Sequence, residues 1–125
     1  MKVLCVRLIN AMDESEQTED AWFTLNREYL VLAVSADPGR AVNLRIIADD
    51  RRTPVLVSSE MFMTLDESIP ITWTVKISEG GLLDLAPKRW HEVGFWESFF
   101  DRDPEAERIF DEEVELIQAE SDAGR

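Results

Sequence analysis

The stretch from Trp90 to Ile117 constrains this chain more than any other, because an aromatic cluster leads there into Asp103 and Pro104, which introduce apolar residues spaced three and four apart. An aspartate can accept hydrogen bonds from the unpaired amides of a first helical turn, and proline suits the first helical position, where its missing N–H would be unbonded anyway. Glu105 and Glu107 then suit the positive end of the helix dipole. The spacing puts Ala106, Ile109, Phe110, Val114 and Ile117 on one face and leaves Glu107, Asp111, Glu112 and Glu115 mainly off it. It predicts a helix that packs on one side and is acidic on the other. Residues 120–125 follow with no apolar anchor and are expected to fray.

Upstream, the signals are those of strands. Residues 2–9, 29–34, 42–48 and 55–57 are short runs rich in β-branched and other apolar side chains, and 61–65 could add a further short strand. Residues 71–77 alternate apolar with polar, the clearest strand signal in the chain, which places Ile71, Trp73, Val75 and Ile77 on one face. Turns separate these runs at Asp37-Pro38-Gly39-Arg40, at 49–54 and at Gly80-Gly81. Residues 82–85 lead into 86–89, where the chain is expected to pass from sheet to helix. A helix or irregular turn is predicted over 91–100, with Gly94 weakening its interior by about 1 kcal/mol relative to alanine. Residues 10–20 are acidic and read as a solvated loop.

Strands followed by helices predict a single α+β domain over 1–125, with 1–85 mainly β and 86–119 helical. The economical arrangement is a bent antiparallel sheet or small open barrel, its face or open end covered by the C-terminal helices. At 125 residues and 45% hydrophobic content, the chain can build a real core.

Charge bounds the partners. Against 13 Lys and Arg stand 26 Asp and Glu, a formal net charge of -13. Such a surface repels phosphate backbones and anionic lipid, which argues against nucleic acid and membrane and in favour of a basic protein. No apolar run approaches the roughly 20 residues that cross a bilayer, and residues 1–9 read as a strand and not a targeting signal. The single cysteine, Cys5, fits a buried thiol in a reducing, cytoplasmic setting.

The chemistry-bearing residues are few. His91 is the only histidine, so any nucleophile relay would have to use it. One His and one Cys cannot supply the ligands of an ordinary zinc site. Asp101, Asp103 and Glu105 alternate as in a calcium loop, but Pro104 and the missing glycine argue against one. Gly80-Gly81 lacks the rest of a phosphate cradle. The expectation is a protein that is not an enzyme and needs no cofactor.

The runs Leu25 to Leu32, Leu44 to Asp50, Pro54-Val55-Leu56, Met61-Phe62 and Ile69 to Trp73 resemble small bacterial proteins of the polymorphic-toxin immunity type. Gly94 to Asp101 and Pro104-Glu105-Ala106 resemble the helical ends of the same proteins, and the strand spacing resembles small barrels of the Src-homology-three type. The resemblance implies a cytoplasmic protein that binds and blocks a cognate toxin without catalysis of its own. Trp90, Phe95, Trp96, Phe99 and Phe100 are too many for one helix face, so some are expected at the surface. The expected partner-binding residues are Trp96 and Phe100 as apolar anchors, with Glu97, Asp101, Asp103, Asp111 and Glu112 as the acidic rim. Basic toxin nucleases, whose sites must hold phosphates, suit such a surface. The alternatives are a general interaction or homo-oligomerisation domain in which the aromatic residues pair two copies, and, less favoured, a small enzyme.

Overall fold

The strand β4 (Glu28–Ala36) is the trunk on which the rest of the sheet is hung. A strand has two edges, and β4 pairs with three strands. On one edge lies β5 (Asn43–Ile47), followed outward by β6 (Pro54–Ser58). The other edge is divided. Its beginning pairs with β1 (Lys2–Cys5), with Leu30 opposite Lys2, and its end pairs with β9 (Leu83–Pro87), with Ser35 opposite Asp84. Beyond β1 comes β7 (Phe62–Asp66), and beyond β9 comes β8 (Trp73–Ile77). Every pairing is antiparallel, and the sheet is bent and open, with no closure into a barrel among the described residues. This is the computed structural model of the chain, and it describes residues 1–10 and 12–124.

Two helices complete the α+β domain. Gly94, at a positive φ of 82°, turns the chain into α1 (Phe95–Phe100). The second helix, α2 (Pro104–Ala123), opens as its sequence predicts, with the Asp103 carboxylate accepting the Ala106 amide at 3.1 Å. Ala106, Phe110 and Ile117 are buried, while Ile109 and Val114 pack at the edge of the core.

Several local expectations are corrected. The strand expected over 2–9 is broken at Val6 and Arg7, because both amides bond to the Met61 carbonyl, at 2.9 and 3.3 Å. Its remainder is β2 (Leu8–Ile9), which pairs with β3 (Glu16–Gln17) inside the stretch expected to be a solvated loop. Asp13 and Asp20 shape that stretch by accepting backbone amides two and three residues on. Residues 83–87 form a strand paired on both edges, and the predicted helix over 91–100 is a 3-10 turn at Lys88–His91 followed by α1. The tail expected to fray from 120 is helical through Ala123, with the Glu120 carboxylate accepting the Ile71 amide at 3.0 Å. Ala11 and Arg125, parts of the expected loop and tail, lie outside the described residues.

The core has two aromatic centres. Phe23, Tyr29 and Phe62 meet edge to face at 5.3 to 6.0 Å beside Val3 and Cys5. Trp90 stacks on Phe110 at 5.2 Å, and Phe99 meets Phe110 at 4.6 Å. A polar network closes the first centre. Asp49 accepts hydrogen bonds from Thr24 Oγ1 at 2.6 Å, Tyr29 Oη at 2.7 Å and Arg27 Nη1 at 2.8 Å. Burial opposes ionisation of Asp49, but the bonds from Thr24, Tyr29 and Arg27 outweigh it and hold the carboxyl below the usual range. Burial first, then Asp49, pushes the Tyr29 phenol up to about 12.

A folded pKa below the unfolded value means that this stabilisation is complete above the unfolded pKa of about 4 and is lost as pH falls through the folded one. Asp49→Asn should therefore cost about 1–3 kcal/mol at neutral pH. In urea unfolding the gap between the two proteins should narrow steadily as pH drops below about 4. An equal gap at pH 7 and pH 3 would show that the charge is not what the network holds.

Candidate functional site

The residues expected to bind a partner lie on α1, at the start of α2 and along its first turns, and the structure gives them different surroundings. Trp96 is half-buried, edge to face with Trp90 at 5.5 Å and with Phe110 at 6.0 Å, and the guanidinium of Arg45 lies over its ring at 4.1 Å. Phe95 is buried and Phe99 packs against the core. Only Phe100, 52% exposed, stands clear, so the aromatic surface reduces to one ring.

The acidic rim also divides. Asp103 faces its own helix as the cap of α2. Glu112 is tied to Arg89 at 3.0 Å and to Arg108, which also pairs with Glu105. Hydrogen bonds from Arg89 and then Arg108 hold the Glu112 carboxyl below its ordinary range. Beside it, the buried Glu113 receives Arg89 Nε at 2.8 Å, which fastens α2 to the 3-10 turn. Glu97, Asp101 and Asp111 are exposed, with no ion-pair partner among the described residues. Phe100 and Asp111 share a cleft of about 500 Å³, but Arg52 and Arg102 line it too. That cleft is mixed in charge.

A second surface was not foreseen. In the 71–77 run only Trp73 reaches the core, at 8% exposed, while Ile71, Val75 and Ile77 are 85%, 60% and 68% exposed. The strand itself forms as expected over Trp73–Ile77, and β8 is the outermost strand beyond β9, pairing with nothing else among the described residues. The alternation was legible, but whether anything covers it depends on the lateral reach of α2. Leu116, also exposed, lies one turn before Glu120 on α2, and the Glu120 carboxylate accepts the Ile71 amide. Glu79, just past Ile77, and Glu120 are exposed at the ends of the apolar ledge of Ile71, Val75 and Ile77.

The reactive side chains are engaged structurally. His91 Nε2 meets the Thr74 carbonyl at 3.0 Å, and the His91 carbonyl accepts Lys76 Nζ at 2.7 Å. The buried Cys5 thiol donates to the Arg7 carbonyl at 3.6 Å, and burial pushes its pKa up. No cluster of three or more His, Cys, Asp or Glu side chains suited to a metal ion occurs among the described residues. No described helix is long and apolar enough to cross a membrane.

Comparison of the chain with models of protein families, with curated proteins and with solved structures gave no match.

The ledge predicts a sharp contrast between neighbours on one strand. Trp73→Ala should cost about 3–5 kcal/mol, whereas Ile77→Thr should change stability by no more than about 0.5 kcal/mol. Denaturant midpoints for the two variants test this, and a large loss at Ile77 would mean that the ledge is covered.

Proposed function

We propose that this protein is a non-catalytic binding protein of the immunity type, which occludes a basic protein partner such as a toxin nuclease in the cytoplasm. The observation that carries the reading is the exposed ledge of Ile71, Val75 and Ile77 on a chain of net charge -13. Contiguous exposed aliphatic side chains are the usual apolar heart of a protein interface, and surrounding charge selects which partner approaches. Glu79 and Glu120 at the ends of the ledge favour a cationic surface. Phe100, with Glu97, Asp101 and Asp111 nearby in sequence, offers a second contact region on the same logic. Trp96, Asp103 and Glu112 support the fold around it: Trp96 in packing, Asp103 in capping and Glu112 in ion pairs.

Self-association is the second reading, favoured by the unpaired edge of β8, which can accept another strand. The charge opposes it, because two copies would bring like fields together.

Co-purification with the product of the adjacent gene, scored together with rescue of cells expressing that product, tests the proposal. Complex formation should weaken with rising salt, and Val75→Asp combined with Ile77→Asp should reduce affinity about tenfold or more while the fold persists. No complex and no rescue would remove the reading. Sedimentation over a range of concentrations separates the alternative, since a stable homodimer abolished by the same pair of substitutions would replace a heterologous partner with a second copy.

A further inference from the structure

Independently of that reading, a pocket of about 440 Å³ lies between the sheet and the segment leading into α1. Its size is that of small-molecule sites. Arg45 and Asp84 line it, both half-buried, and neither forms an ion pair among the described residues.

The two charges do not pair with each other. Arg45 is fixed by stacking on Trp96 at 4.1 Å and by donating Nη1 to the Pro54 carbonyl at 3.0 Å, which leaves most of its N–H donors without a protein acceptor. Asp84 stands directly opposite Lys76 in the strand register, yet Lys76 Nζ is engaged by the His91 carbonyl at 2.7 Å. The Asp84 carboxylate accepts no side-chain hydrogen bond among the described residues, from Lys76 or any other. Burial lowers the Arg45 pKa to about 10, with Asp84 opposing the shift, so the guanidinium remains charged at neutral pH.

The remaining charges decide the ligand's chemistry. Glu92 and Glu97 also line the pocket, so a simple anion drawn to Arg45 would face three carboxylates, counting Asp84. A simple cation drawn to those carboxylates would face Arg45 and Lys76. A molecule with an anionic and a cationic end satisfies both, and the apolar side chains of Ala33, Leu56, Leu82 and Ala86 supply a lining for an aliphatic group. We infer that this pocket binds a free α-amino acid with an aliphatic side chain, its carboxylate on Arg45 and its ammonium on Asp84.

Titration of the isotopically labelled whole chain with L-leucine, followed by amide chemical shifts, tests the inference beside N-acetyl-leucine and leucinamide, each of which lacks one charge. Saturable shifts confined to the pocket are expected with leucine, and each blocked ligand should bind about tenfold or more weakly. Asp84→Asn, at a side chain that makes no hydrogen bond or ion pair among the described residues, should produce a similar loss, and Arg45→Gln should do so if thermal unfolding shows that the Trp96 stack tolerates it. Absence of saturable shifts at the highest soluble leucine concentration would overturn the assignment. Equal binding of the blocked ligands, or an unchanged affinity in Asp84→Asn, would overturn it too.

Discussion

The hydrogen-bonding capacity of one strand, β4, is the constraint on which this architecture depends. A nine-residue strand with β5 along one edge has room on the other for two short strands end to end, and β1 and β9 take those places. The two arms, β7 with β1 and β8 with β9, are therefore joined only through β4 at the level of the sheet. The pairing with β5 shifts register between Val31 and Ala33, which bends the trunk where the second edge passes from one arm to the other. Val31 and Leu32 are both buried, as a strand interior covered on both sides requires.

The helices cover part of this surface and leave part open. Phe110 and Ile117 of α2 reach the core, and Arg89 with Glu113 anchors the helix to the turn after β9. Much of the helix's acidity is thereby answered within the fold: Arg89, Arg102 and Arg108 engage Glu105, Glu107, Glu112 and Glu113. The negative field that reaches solvent comes from other carboxylates, distributed over loops and strand ends as well as this helix. The same geometry explains the pocket beside α1, where Arg45 is directed to an aromatic ring and a carbonyl instead of a carboxylate.

The candidate surfaces were legible in unequal degree. Phe100 was accessible to sequence reasoning because adjacent aromatic stripes on a short helix cannot all turn inward. The cover over Trp96 was not legible, because nothing in its sequence neighbourhood signals Arg45, which lies on a strand far away in sequence and stacks on the ring. Glu112 looked like a free surface charge because its partner Arg89 lies beyond the reach of helical spacing, unlike Arg108. The exposure of the ledge at β8 was not legible for a related reason. Alternation reports that a strand has an apolar face, but it carries no information about whether another element reaches that face.

Local rules determined the beginning and packing face of α2, the turn positions, the mixed α+β class and the excess of negative charge, because each depends on residues close in the chain or on composition alone. Tertiary structure decided that β4 would hold three strands, that β8 would lie at the margin with Ile71, Val75 and Ile77 uncovered, and that Arg45 and Asp84 would share a pocket without touching. These outcomes rest on which distant segments compete for the two edges of a strand and how far one helix can extend over a sheet. Only the folded chain brings those competitors together.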